Sequence, residues 1–194
     1  MSSRNAREKR ETRETTVEVQ LDLDGVGSAT VSTGIPFLDH MVEQLGKHAG
    51  FDLHVEATGD LAVDTHHTVE DVGIVLGSAL RSALGAKAGV RRFASVLVPL
   101  DEALVQVALD LSGRPFLMYD VDPVAEWIGT FDPQLAEEFW RAFVTASAIT
   151  LHVTSLSGRN GHHVLEASFK GVARALRDAV RIEGGDVPST KGSL

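Results

Sequence analysis

The sequence of 194 residues contains no cysteine, and this absence excludes several kinds of chemistry at once. A chain without thiols forms no disulfide, offers no thiolate nucleophile and binds no metal through sulfur. The absence also fits a reducing compartment, so the sequence predicts a cytoplasmic protein. Any metal site must therefore use nitrogen and oxygen ligands.

Long apolar runs and an excess of positive charge are missing as well. No stretch approaches the roughly 20 apolar residues that cross a bilayer, and the charged start of the chain lacks the apolar core of a signal peptide. Eighteen basic and 27 acidic side chains give a net charge of −9, which argues against a nucleic-acid-binding surface. An anionic ligand would therefore need a local basic cluster.

Apolar periodicity predicts mixed α and β structure in one domain made of two halves. The first half is predicted as ββαβα, and the second repeats this order with one more short strand. Predicted strands lie at about 16–23, 28–33, 53–58, 95–99, 104–111, 116–119 and 150–156, and helices at about 36–48, 69–84, 135–147 and 165–180.

The two halves also resemble each other in sequence. Asp52–Val55 aligns with Thr150–Val153 at a shift of 98 residues, and His66–Glu70 aligns with His162–Glu166 at a shift of 96. A two-residue deletion in the intervening loop reconciles the two shifts. The sequence therefore predicts an internal duplication, with repeats at about 10–94 and 95–184.

Each repeat carries the pattern His-His-x-x-Glu. On a helix that turns 100° per residue, His66 and Glu70 lie about 40° apart and face the same way, whereas His67 points about 100° away from His66. The same geometry applies to His162 and Glu166. Pairs at this spacing are typical of metal ligands when they recur at equivalent places of a duplication.

Two metal ions are the economical interpretation, each held by the His–Glu pair of one repeat and the remaining histidine of the other. One set is His66, Glu70 and His163, and the other is His162, Glu166 and His67. Imidazole and carboxylate ligands suit manganese, iron, cobalt, nickel or zinc, and spacing alone does not choose among them. Asp64 and Asn160 stand just before the two motifs and are predicted N-caps.

The two histidine motifs and several other segments of the sequence resemble the motifs of one known protein family. The set comprises Gly34–Met41, His66–Asp71, Pro99–Glu102, Ser112–Pro115, Gly161–Ala167 and Pro188–Gly192. In this order the sequence, from about residue 10 to its end, resembles the imidazoleglycerol-phosphate dehydratases of histidine biosynthesis. The resemblance covers the dehydratase region of that family, and the phosphatase domain fused to it in some bacteria is not expected in a chain of this length.

The resemblance implies a duplicated ββαβα fold of the α+β class, ribosomal-protein-S5-domain-2-like, with helices covering each sheet. It also implies trimers that assemble into a cage of roughly 24 subunits. Two manganese ions are expected at each active site, which would lie between subunits.

The resemblance extends the two ligand sets. By family position, His40 joins His67, His162 and Glu166. Glu138 lies 98 residues after His40 and is expected to join the set of His66, Glu70 and His163, although His152 or water could take that place.

The remaining site residues also follow from the resemblance. Glu14 is expected to be the base. Side chains expected to bind the substrate phosphate are His48, Arg92, Arg114, Lys170, Ser189 and Lys191, the last two in a substrate-binding tail at about 185–194. A simple salt bridge to Glu166 is the alternative for Lys170. Asp101–Glu102 is either a second carboxylate site or a strand end.

The function implied is the dehydration of D-erythro-imidazole glycerol phosphate to imidazole acetol phosphate, so the chain is expected to be a hydro-lyase. Two alternatives use the same histidines. A dinuclear metallohydrolase of phosphate esters usually needs bridging aspartates. A non-catalytic metal-binding cage would not need the four cations Arg92, Arg114, Lys170 and Lys191.

Overall fold

A computed structural model describes residues 4–122 and 124–194. Within these ranges the chain forms eight strands and four helices in two successive halves of equal order. The first half comprises β1 (Asn5–Glu11), β2 (Thr15–Asp22), β3 (Ala29–Ser32), α1 (Pro36–Ala49), β4 (Asp52–Gly59) and α2 (His66–Leu84). The second half comprises β5 (Phe93–Leu100), β6 (Ala103–Asp110), β7 (Phe116–Asp120), α3 (Leu135–Ser147), β8 (Thr150–Ser157) and α4 (Gly161–Ala179).

Each half builds one four-stranded sheet, with the orders β1-β2-β4-β3 and β5-β6-β8-β7. The last pair of each sheet, β3 with β4 and β7 with β8, is parallel, and the other pairs are antiparallel. The α+β class and the two similar halves predicted from the sequence are confirmed. The domain boundaries and the role of the tail stay predictions.

The strand β1 is an addition to the predicted order of the first half. Its sequence alternates little, and only Ala6 packs against the core, because β1 is an edge strand whose side chains are mostly exposed. Backbone pairing with β2, from Asn5↔Asp22 to Glu11↔Thr16, holds it in the sheet. The predicted start of the first repeat, near residue 10, therefore falls inside a strand.

Four layers follow from how the helices pack. α1 and α2 cover the first sheet, α3 and α4 cover the second, and the two helical layers face each other. In β2, Val17, Val19 and Leu21 alternate with more exposed residues, so one face of the first sheet packs against the helices and is buried in the core. None of the described helices is both long and apolar enough to span a membrane.

The helices pair across the two halves, which decides where the site lies. α1 packs on α4, and α2 packs on α3. The helices α2 and α3 pack very closely at Gly73. A Cβ added to this glycine would lie 2.6 Å from the Phe139 carbonyl oxygen. The duplication therefore brings the start of a helix from one half beside the start of a helix from the other.

Candidate metal centre and active site

One cluster of predicted metal ligands forms where α1 meets α4. His40 of α1 and His162 and Glu166 of α4 each offer a ligand atom, and these atoms lie within 4.8 Å of one another. His162 Nε2 is 2.9 Å and His40 Nε2 is 3.8 Å from Glu166 Oε2. Within residues 4–122 and 124–194, no other group of three such side chains converges in this way.

The burial of this cluster differs between its members. Glu166 is 13% exposed, whereas the side chains of His40 and His162 are 42% and 44% exposed. Burial acts to raise the pKa of Glu166, but the Lys170 ammonium at 2.7 Å and the neighbouring histidines outweigh it and keep that pKa below its usual value. The cluster therefore presents an ionised carboxylate beneath two imidazoles that face outward.

Local structure fixes both helix starts. Before α1, Thr33 donates through its backbone N–H and its hydroxyl to Asp39 Oδ1, at 2.8 and 2.5 Å. Before α4, Asn160 Oδ1 accepts a hydrogen bond from the His162 N–H at 3.0 Å, so the predicted N-cap is confirmed. At α2, the N-cap residue is Thr65, and Asp64 accepts from the Thr65 and His66 N–H groups.

His67 lies apart from that cluster, between two carboxylates. Its Nδ1 is 3.1 Å from Asp60 Oδ2 and 3.8 Å from Glu14 Oε2. The hydrogen bond to Asp60 raises the pKa of His67, and Glu14 adds to this effect. Glu14 stands on the turn between β1 and β2, where Thr12 Oγ1 accepts from its N–H at 3.1 Å.

The other predicted ligand set is dispersed within one chain. His66 Nε2 lies 4.0 Å from Glu70 Oε2, and Glu138 pairs with Arg141 on its own helix, at 3.7 Å. His163 Nδ1 meets Glu102 Oε2 at 2.9 Å. The alternative ligand, His152, sits elsewhere, with its ring centroid 5.5 Å from that of Phe116.

The chemistry of the first cluster fits a divalent cation. Two imidazoles and one carboxylate, with no thiolate, are ligands that manganese and the other borderline metals accept. The ligand atoms converge, the carboxylate is ionised, and the imidazoles are accessible. Three protein ligands also leave coordination positions for a substrate or for a further side chain.

Four of the residues predicted to bind phosphate line one cleft of about 640 Å³. The cleft is lined by Arg92, Arg114, Ser189 and Lys191, together with Pro188, Thr190, Ser193 and Leu194 of the tail. The structure thus gathers two arginines and the chain's last lysine in one place, although they are far apart in sequence. A cationic cleft of this kind can hold a phosphate.

The Arg92 side chain, which the sequence predicted to bind phosphate, already forms hydrogen bonds within the chain. Its guanidinium donates to both carboxylate oxygens of Asp110, at 2.7 and 3.1 Å, and to the Pro188 carbonyl at 2.7 Å. The hydrogen bond with Asp110 raises the pKa of Arg92. Arg92 therefore ties the tail to the second sheet.

The other two predicted phosphate ligands lie along the α1–α4 pair. Lys170 forms the salt bridge to Glu166 that the sequence left as an alternative. His48 Nε2 lies 3.0 Å from Gln44 Oε1, and burial, with the nearby charges of Lys170 and Arg174, lowers the pKa of His48. This strip of polar side chains continues directly from the metal cluster.

Sequence reasoning missed Asp60 and Arg174. Asp60 lies outside the quoted motifs, and only the fold brings the end of β4 beside His67. Arg174 follows Glu166 and Lys170 at intervals of four residues, so helical spacing could have placed it on the same face.

Comparison with known proteins shows the family of the chain. The family model described as imidazoleglycerol-phosphate dehydratase matches residues 33–176. A protein of that name from Acidothermus cellulolyticus is 58% identical over 192 residues, covering 98% of this chain and 93% of its own length. Imidazoleglycerol-phosphate dehydratase 1, chloroplastic, of Arabidopsis thaliana is 51% identical, covering 96% of this chain and 70% of the relative.

Solved structures give the same answer at the level of the fold. A crystal structure of the dehydratase from Pyrococcus furiosus has a TM-score of 0.84 at 38% identity, covering 96% of this chain and 99% of that one. The Staphylococcus aureus dehydratase has a TM-score of 0.81 at 35% identity, covering 91% and 99%. The chain therefore belongs to the imidazoleglycerol-phosphate dehydratase family, and the expectation of a hydro-lyase is confirmed.

Proposed function

We propose that the chain dehydrates D-erythro-imidazole glycerol phosphate to imidazole acetol phosphate and water in L-histidine biosynthesis, in the cytoplasm, with two manganese ions at each active site. The observation that carries the proposal is the convergence of His40, His162 and Glu166 within 4.8 Å, from two helices that belong to different halves. Family membership supplies the reaction.

The proposed ligand sets use side chains of more than one subunit. One set is His40, His67, His162 and Glu166, and the other is His66, Glu70, His163 and Glu138. Two observations support sharing between subunits: one chain gathers three members of the first set, and the imidazoles of His40, His162 and His67 are 36–44% exposed. Trimers assembled into a cage of roughly 24 subunits would supply the missing partners.

The reaction is difficult because the carbon-bound proton is barely acidic and hydroxide is a poor leaving group. Manganese held by these ligand sets would supply Lewis acidity, which makes the ring N–H of the substrate imidazole easier to ionise and so favours the electron-rich form of the ring. Glu14 takes the proton from carbon and the C–O bond breaks, so that the proton removed and the hydroxide lost together amount to one water. The resulting enol becomes the ketone when its hydroxyl proton is replaced by a proton on carbon. A positioned base of this kind contributes about 10²–10⁴-fold to the rate.

The surroundings of Glu14 support its role as this base. Its carboxylate is 56% exposed, and its ion pair with His67, at 3.8 Å, is beyond hydrogen-bond distance. The turn is held through the backbone, because Thr12 Oγ1 accepts from the Glu14 N–H and the Thr15 N–H. The side chain is therefore free to reach a substrate.

For the phosphate, we propose that Arg114, Ser189 and Lys191 provide direct contacts, and that His48 and Lys170 complete the anion site from another subunit. Arg92 adds positive charge and holds the tail in place. The cationic cleft supports this proposal, because local positive charge is needed in a chain whose net charge is −9.

Incubation of manganese-loaded protein with imidazole glycerol phosphate tests the proposal. We expect a ketone product that retains its phosphate. Glu14→Gln should bind manganese as the wild type does and lose most of its turnover, whereas Glu11→Gln, an exposed glutamate of the same hairpin, should behave as the wild type. Released inorganic phosphate would indicate a hydrolase instead, and the absence of any turnover would indicate a binding protein.

A further inference from the structure

The second histidine of each His-His-x-x-Glu motif has a carboxylate on the same ring nitrogen. His67 Nδ1 lies 3.1 Å from Asp60, and His163 Nδ1 lies 2.9 Å from Glu102. A carboxylate can only accept at this contact, so Nδ1 carries the hydrogen. Nε2 of each ring is then left as the atom that can bind a cation.

The two carboxylates come from different positions of the repeat. The registers Asn5↔Asp22 and Phe93↔Asp110 show that the first two strands of each half correspond at a shift of 88 residues, which makes Glu102 the counterpart of Glu14. Asp60 follows β4 directly, and its counterpart after β8 is Gly158. A side chain at Gly158 has no room, because its Cβ would collide with Val164.

The Glu102 carboxylate accepts three hydrogen bonds within the chain. It accepts from the Arg159 N–H at 3.1 Å and the Asn160 N–H at 2.8 Å, in addition to His163. These hydrogen bonds, led by that of His163, lower the pKa of Glu102 to about 2. One carboxylate thus fixes the loop before α4 and orients the histidine.

In the first half, two different residues hold the loop before the helix and orient the histidine. Asp64 accepts from the N–H groups before α2, at 2.5 and 3.2 Å, and Asp60 binds the ring of His67. Glu14, which stands where Glu102 stands in the second half, is left 3.8 Å from His67. A ring N–H at hydrogen-bond distance from Asp60 has no second hydrogen for Glu14.

We propose that Asp60 is a positioning residue that occupies Nδ1 of His67 and thereby keeps Glu14 free. When Asp60 is absent, Glu14 moves by about 1 Å and takes its place, as Glu102 does on His163. The consequence for turnover rests on the proposed function of Glu14, whereas the consequence for metal binding does not.

A cycle of variants tests this exchange through manganese affinity, measured by titration without substrate. Asp60→Ala and Glu14→Ala should each bind manganese within about threefold of the wild type. The double variant, which has no acceptor for Nδ1 at either position, should bind about 10–100-fold more weakly, as expected when a histidine ligand loses its supporting carboxylate. Asp60→Asn added to Glu14→Ala should restore binding, because the amide oxygen still accepts from Nδ1. Glu56→Ala is the matched control, since it removes a carboxylate 3.4 Å from His54, a histidine in neither ligand set.

Turnover gives an independent readout of the same exchange. Asp60→Ala should lose turnover while keeping manganese, because Glu14 is then held by His67, and Asp60→Asn should recover it. The proposal is overturned if the double variant binds manganese no more weakly than Asp60→Ala alone. Full turnover of Glu14→Gln would instead contradict the proposed role of Glu14 as the base. The manganese affinities of the variants would still test whether Asp60 and Glu14 exchange at His67, because they do not depend on that role.

Discussion

Replacing Asp71 should destabilise the protein and loosen the turn that carries Glu14. Asp71 lies on α2 and is almost completely buried. It accepts a hydrogen bond from Arg10 Nε of β1 at 2.7 Å and a short one from the Thr15 hydroxyl of β2. Because these two partners flank the β1–β2 turn, one carboxylate fastens both sides of that turn to the helix.

The magnitude follows from the burial of the two partners. The Thr15 hydroxyl is buried, and a hydrogen bond to a charged group contributes about 1.5–3 kcal/mol. The Arg10 side chain is 45% exposed, so its ion pair adds about 0–1 kcal/mol. Asp71→Ala should therefore lower the free energy of unfolding by about 1.5–4 kcal/mol, or the melting temperature by about 3–16 °C for a chain of this size.

Denaturant unfolding measures this change, and Glu8→Ala is the matched control. Glu8 also links β1 to α2, through a hydrogen bond of 2.7 Å from Ser82, but that contact is solvent-exposed and should change stability by less than about 0.5 kcal/mol. Under conditions where Asp71→Ala is still folded, turnover should fall while manganese binding is retained. Equal stabilities of the two variants would refute the reasoning.

Further predictions concern the ligands, the assembly and acid stability. His67→Ala and His163→Ala should each lower bound manganese and abolish turnover, and full activity with unchanged metal content would contradict the proposed ligand sets. Chelation should shift a large particle toward trimers in sedimentation, because the proposed ligands come from different subunits, and an unchanged sedimentation profile would show that metal does not hold the assembly together. Hydrogen bonds from Arg4 hold the pKa of Asp24 below its usual value. Their stabilisation is therefore present above the ordinary carboxyl pKa of about 4 and lost as the pH falls through the lowered pKa, so unfolding measured against pH should show less acid sensitivity in Asp24→Asn.

Most of the fold could be predicted because both sheets bury one face. β2 alternates the buried residues Val17, Val19 and Leu21, so a period-two pattern identifies it. The short apolar run of β5 places Ala94, Val96 and Leu100 against the core, and this run identifies that strand although none of its residues is fully buried. β1 has no such pattern, because the positions that follow Ala6 on its inner face are Glu8 and Arg10, although β5 is an edge strand as well. The strands β1 and β5 occupy equivalent places in the two halves, but only β5 could be predicted from the sequence.

The site could be predicted as a set of residues, and less well as an arrangement. The shift between repeats identified both His-His-x-x-Glu motifs, and periodicity placed each pair on one helix face. It could not show that Asp60 binds His67, because that contact depends on the loop between β4 and α2. Nor could it show that Arg92 is engaged by Asp110 and Pro188, which lie 18 and 96 residues away.

The manganese content of the purified full chain tests the central claim most directly. After equilibrium dialysis against manganese, the account predicts about two bound ions per chain, and a marked loss in a variant that carries both His162→Ala and Glu166→Gln. A chain that binds no manganese, or a double variant with the same content as the wild type, would contradict the claim that paired histidines and glutamates of the two halves hold the metal.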